Sequence, residues 1–118
     1  METGIKKYIV QTEQTEWKPL TEEGIDTTGI SFKILRYDEV QKRPPSFLLK
    51  FDAGASYPYH NHPAGEELYV LRGNCIIENT YLKQGDYLYT PPGFKHSVRT
   101  ETGCEILFIV PKEVEIII

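Results

Sequence analysis

Turn-forming residues break this chain at short intervals, and that rhythm limits what it can fold into. Asp52-Ala53-Gly54, Pro63-Ala64-Gly65, Gln84-Gly85 and Pro91-Pro92-Gly93 each stop an apolar, β-prone run, and the intervals between them leave no room for a long helix. Runs rich in β-branched and aromatic residues lie at 6–10, 30–37, 46–51, 67–71, 75–78, 86–90, 105–110 and 114–118. Residues 30–34 alternate apolar with polar, as a half-buried strand does. Residues 66–79 read as a hairpin turning at Arg72-Gly73-Asn74. No twelve-residue window carries a clean 3.6 period, so the expected fold is all-β, a sandwich or barrel of short strands. Residues 12–26 are the least defined and read as loop, with a short turn of helix near Thr21-Glu22-Glu23.

The size suits one such unit. A chain of 118 residues, 40% hydrophobic and 25% charged, is expected to form a single domain over 1–118 with a sufficient core. The net charge is −4 and the 13 basic residues are scattered, the densest spot being Gln41-Lys42-Arg43. That is too little for a nucleic-acid footprint. The longest apolar run is 106–110, far short of a membrane span. Residues 1–10 lack the apolar core of a signal peptide, so a cytoplasmic location is expected. In that compartment Cys75 and Cys104, the only two cysteines, are expected to be free, buried thiols.

The histidines carry the chemistry. Two of the three, His60 and His62, stand one residue apart in His60-Asn61-His62-Pro63-Ala64-Gly65-Glu66-Glu67. On an extended strand, residues two apart share a face, so both imidazoles point to one place. Pro63 then ends pairing, Gly65 permits a reversal, and Glu66 opens the next strand with its carboxylate returning to the same point. The third, His96, follows the turn Pro91-Pro92-Gly93-Phe94-Lys95. Three imidazoles and a carboxylate are a ligand set for one divalent transition metal, with one or two positions left open. The tyrosines at 57, 59, 69, 87 and 89 read as core and wall residues.

These residues resemble the two motifs of the cupin superfamily. Gly54, His60, His62, Glu66 and Gly73 match the first, and Gly85, Pro91, Gly93 and His96 match the second, with Thr100 at a position where the family carries Asn. The resemblance implies a double-stranded β-helix, a small jelly-roll barrel, with its motif core at 54–100. It implies His60, His62, Glu66 and His96 as ligands to Fe(II), Zn, Mn or Ni. The six-residue gap to Gly73 favours Glu66 over Glu67, and alternation sends Glu67 outward. More narrowly, Trp17, Gly29-Ile30, the stretch from His60 to Gly73, and Glu101-Thr102-Gly103-Cys104 are similar to the cupin-like domain of ChrR-type anti-sigma factors. That likeness implies one of two functions. The first is a non-haem metal-dependent dioxygenase acting on a small diketone or aromatic ketone, as in related stand-alone cupins. The second is a non-catalytic, zinc-binding sensor or regulatory module. The expected partner is a small molecule.

Terminal strands at 6–10 and 114–118 would leave apolar edges. A homodimer pairing through them is therefore expected. Alkylation of the protein without reductant is expected to label both cysteines. A species carrying the mass of an intact disulfide would overturn that reading and count against the cytoplasmic one.

Overall fold

The computed structural model describes residues 4–117 and is built from ten strands. In chain order they are β1 (Lys18–Pro19), β2 (Ile30–Asp38), β3 (Arg43–Phe51), β4 (Ser56–Asn61), β5 (Glu66–Ile77), β6 (Thr80–Lys83), β7 (Tyr87–Thr90), β8 (Lys95–Arg99), β9 (Cys104–Ile109) and β10 (Glu115–Ile116). The named pairings are all antiparallel. They form two curled sheets that share β5. One sheet runs β1-β2-β3-β9-β5, with β7 on the far side of β5. The other runs β10-β4-β8 and takes in the second half of β5 and β6. This is the jelly-roll barrel that the motif spacing implies.

Alternation builds the interior. In the first sheet Phe32, Leu49, Ile106 and Val70 form one inward row across four strands. Ile34, Phe47, Phe108, Leu68 and Leu88 form the next. The second sheet adds Tyr57, Cys75, Ile77, Leu82 and Val98 to the same buried cluster. Each fully buried aliphatic or aromatic side chain contributes roughly 1.5–3 kcal/mol, so these rows hold the two sheets together. Cys75 and Cys104 are free and buried in this cluster.

Three local expectations are corrected. Residues 66–77 are one twelve-residue strand rather than half of a hairpin turning at Arg72-Gly73-Asn74. Gly73 lies within it at φ 72°, just past a register shift between Val70 and Arg72. There the strand passes from one sheet to the other, so a glycine that reads as a turn is a bend. The reversal falls at Glu78-Asn79, both left-handed, closing a two-residue hairpin between Ile77 and Thr80. Residues 6–10 are not a strand: a 3-10 turn spans Ile5–Tyr8, with no residue buried. In the loop before β2, the helical turn falls at Thr12–Gln14, while Glu22 and Ile25 form an isolated bridge.

The chain's last apolar run also behaves differently from expectation. β10 pairs with β4 of its own barrel, Ile116 opposite His60, and Val114 and Ile116 pack on the core. β10 is thus docked on its own barrel by one edge and stands at the end of the strand order, its other edge unpaired among the described residues, and Ile118 lies outside the described residues. The pattern also left three strands unmarked, the two-residue β1, β6 and the His96-bearing β8.

Gly73 and Gly54 offer a controlled comparison. Both have positive φ, but a Cβ at Gly73 would lie 2.2 Å from the Gly103 carbonyl oxygen, whereas Gly54 faces open space. Gly54→Ala is expected to cost about 1–2 kcal/mol from backbone conformation alone. Gly73→Ala should add about 1–3 kcal/mol of overpacking. Equal losses in chemical denaturation would show that the bend is not sterically closed.

Candidate metal centre

The loop between β4 and β5 and the pairing of β4 with β8 bring the four polar residues together. His60 lies on β4 directly opposite His96 on β8. A register irregularity between Tyr57 and His60 turns both of these residues toward the interior. His62 follows the end of β4, and the backbone N–H groups of Gly65 and Gly93 both donate to its carbonyl, pinning the turn. Glu66 is the first residue of β5. All four are almost wholly buried: His62 is 0% exposed, His96 1%, and His60 and Glu66 3% each. One ligand-capable atom from each of the three histidines lies within 4.8 Å of the others.

Their hydrogen bonds set which nitrogens face inward. His60 Nδ1 donates to the Pro58 carbonyl at 2.7 Å, and His62 Nδ1 donates to the Phe94 carbonyl at 2.8 Å. A carbonyl only accepts, so Nδ1 carries the proton in each ring and Nε2 presents its lone pair when the ring is neutral. His62 Nε2 then stands 3.2 Å from Glu66 Oε2, and His96 Nε2 stands 3.5 Å from Glu66 Oε1. Among the described residues, His62 Nε2, Glu66 Oε1 and His96 Nδ1 are buried without a hydrogen-bond partner.

A lone pair facing a carboxylate in a dry interior repels it unless a positive charge intervenes. Either a proton on His62 or a metal cation supplies that charge. Burial pulls the His62 pKa down, but the Glu66 carboxylate outweighs it and the net shift is upward. Burial likewise pushes Glu66 up, yet His62 and His96 carry it below the ordinary carboxylate value. His60 goes the other way: burial lowers it to about 4, so its ring is neutral near pH 7. His60 and His62 thus present Nε2 lone pairs, and with His96 and Glu66 the cluster has the donor types and unsatisfied atoms that a transition metal satisfies.

Glu67 lies on the outer side of β5, where its Oε1 accepts from the Tyr87 hydroxyl at 2.7 Å. Thr100 stays out of the centre. Its hydroxyl donates to the Asn74 carbonyl and accepts from the Gly103 N–H, so it tightens the turn beside Gly73.

A cavity of about 810 Å³ reaches from His60 and Glu66 to the barrel mouth. Phe32, Phe51 and the stacked pair Phe47–Phe108, with centroids 5.6 Å apart, supply its walls. Tyr57 packs edge-on against His60 and donates to both carboxylate oxygens of Glu22, at 2.9 and 3.0 Å. Burial, then Glu22, pushes the Tyr57 pKa upward, so the phenol keeps its proton. Sequence reasoning left Tyr57 among undifferentiated wall tyrosines and placed Glu22 in a loop. Only the irregularity in β4, invisible in a period-two count, turns Tyr57 to the site.

A two-sheet barrel with three histidines and a carboxylate inside one mouth defines the molecule as a cupin. The chain belongs to the ChrR cupin-like domain family, whose model matches residues 6–115. It is 36% identical over 83 residues to DNA damage-repair/toleration protein DRT102 of Arabidopsis thaliana, a match covering 65% of this chain. The chain spans about a quarter of that relative, 25% of its length. The polyketide cyclase RemF of Streptomyces resistomycificus superposes with a TM-score of 0.76 at 19% identity, over 93% of this chain and 84% of its own. An acetylacetone dioxygenase from Acinetobacter johnsonii superposes with a TM-score of 0.75 at 15% identity, over 93% and 75%. These likenesses establish the shared fold.

Tyr57→Phe removes the bonds that hold Glu22 at the cavity mouth. It is expected to cost about 1 kcal/mol and to speed amide hydrogen exchange selectively in residues 20–25. Unchanged exchange there would show that the segment is held by other contacts.

Proposed function

We propose that His60, His62, His96 and Glu66 hold one divalent transition metal, and that the protein is a non-haem metal-dependent dioxygenase acting on a small diketone or aromatic ketone. The observation that carries the metal reading is the buried meeting of imidazole lone pairs with the Glu66 carboxylate. Bound there, a metal such as iron supplies a Lewis acid and a one-electron redox centre, with coordination positions to spare for a chelating substrate.

The protein's own groups prepare the rest. The Pro58 and Phe94 carbonyls fix the ring orientations of His60 and His62, as outer partners of metal-ligating histidines do. Glu66, held ionised, serves as a ligand or as the acceptor of a substrate proton. The aromatic walls fit a flat, conjugated molecule, and a volume of about 810 Å³ lies within the range of small-molecule pockets. The acetylacetone dioxygenase and polyketide cyclase among the structural neighbours both act, by name, on oxygenated carbon skeletons, which supports this substrate class.

A second reading, a zinc-binding sensor module without turnover, draws support from the family match itself. Elemental analysis of protein purified without tag or chelator, followed by oxygen uptake with acetylacetone and phenyl-substituted diketones, separates the two. Iron with substrate-dependent oxygen uptake supports the enzyme, whereas stoichiometric zinc with no uptake supports the sensor.

Replacing both His60 and His62 with Ala is expected to abolish metal content, and a double variant that keeps stoichiometric metal would overturn the centre. Glu66→Gln is expected to weaken metal affinity by roughly tenfold or more, with Glu67→Gln near wild type. Greater loss in the Glu67 variant would reverse their roles.

A further inference from the structure

The cavity that opens from the metal centre is not lined evenly. Its aromatic walls end in charge, with Glu22 and Glu113 on one side and Lys42 and Arg43 on another. The acidic side belongs to Tyr57: Glu22 accepts from the Tyr57 hydroxyl, and the charge of Glu113 also acts on that ring. The basic side has no such partner.

Arg43 is the first residue of β3 and is half-buried. Its Nη1 donates to the Val110 carbonyl at 2.8 Å, which fixes the side chain at the strand end. Among the described residues, no acceptor takes its Nε or Nη2, and no carboxylate stands within ion-pair distance of it. Asp38, its cross-strand neighbour, turns Oδ1 to the N–H groups of Val40 and Gln41 instead. A guanidinium offers five N–H donors in a planar fork. Here one of them is spent on the backbone, and the others remain for something in the cavity.

The strand ladder puts this group at the level of the metal centre. Glu67 stands opposite Ile109, so Val110 falls beside Glu66. On its other edge the Val110 N–H donates to the Pro45 carbonyl at 2.7 Å. β3, β9 and β5 therefore lie side by side here, and two interstrand steps from β3 to β5 span roughly 10 Å. A flat aromatic molecule with chelating oxygens at one end and an anion at the other has about that length. The stacked Phe47 and Phe108 rings lie in the row below.

We infer that Arg43 is a carboxylate-binding subsite, and that the substrate is an aromatic ketone or diketone carrying a carboxylate at the end remote from its chelating oxygens. This rests on the reading of the centre as a metal site for such ketones. A carboxylate is the anion whose two oxygens match the guanidinium fork. Glu22 and Glu113 repel the same carboxylate from the Tyr57 side, so the molecule enters in one orientation. Arg43 takes no part in the chemistry and supplies binding away from the reacting atoms.

Calorimetric titration under nitrogen tests this on the full chain with its metal complement as purified. The probes are benzoylacetone and its para-carboxy derivative. The unmodified chain is expected to bind the carboxylated compound roughly tenfold more tightly. Arg43→Met should remove that preference and leave benzoylacetone binding as it was, a selectivity that general loss of structure would not produce. Equal binding of the two compounds by the unmodified chain would overturn the subsite. So would a preference that survives in Arg43→Met, or binding of neither compound. The ortho-carboxy isomer, whose anion lies near the chelating oxygens, is expected to show no preference, and a preference equal to the para isomer's would overturn the remote placement. If Arg43→Met lacks a cooperative thermal transition, Arg43→Lys keeps the charge and loses the fork. It should lower the preference about threefold, and an unchanged preference there would count against the paired contact. Oxygen uptake is scored separately. Carboxylate preference in binding without uptake sinks the dioxygenase and supports the subsite, whereas uptake without preference does the reverse.

Discussion

The molecule is organised around a burial that an apolar core would avoid. One carboxylate and three imidazoles are withdrawn from water with too few hydrogen bonds among themselves, an arrangement that costs several kcal/mol per unpaired charge. Each surrounding feature holds one of the four in place. The register of β4 against β8 sets His60 opposite His96, the turn at 62–65 returns the chain to Glu66, and two backbone carbonyls lock two of the rings. A jelly roll suits this task because its strands alternate. Beside the four stand mostly apolar side chains, with the Thr90 hydroxyl 3.3 Å from His96 Nε2 and the Tyr57 ring against His60, so the charges chiefly meet one another.

Much of this was legible in the sequence. The turn punctuation gave an all-β fold because Gly and Pro act locally, through φ and the missing N–H. The spacing of His60, His62 and Glu66 placed three side chains together through strand periodicity and a single reversal. Glu66 inward and Glu67 outward followed from the same period, and the structure has them so.

What was not legible is non-local or irregular. Gly73 has the turn residue's signature, yet its left-handed backbone bends a continuous strand where Gly103 approaches too closely for any side chain. The short run at 6–10 has strand-forming residues but no neighbouring strand to pair with, and propensity without a partner yields only a 3-10 turn. That Glu115–Ile116 dock on β4 of their own barrel is likewise invisible, because nothing in one dimension shows that β4 lacks a neighbour on that side. Tyr57 reaches the site through a register irregularity, and Glu22 meets it from 35 residues away. No periodic pattern encodes either.

The position of β9 has a consequence for biosynthesis. It is the centre of the first sheet, between β3 and β5, yet it is the ninth of ten strands in the chain. A ribosome releases β3 and β5 well before the strand that joins them. During that interval both present unsatisfied backbone edges, and the paired rows Phe47–Phe108 and Leu49–Ile106 lack their inner halves. Sheet closure therefore waits on residues 104–109, long after β3 and the first half of β5, as expected of a topology built from long-range pairings. Nascent chains stalled before residue 104 would be open-edged, which makes the interval before β9 emerges the period in which this fold is most exposed to edge-to-edge association.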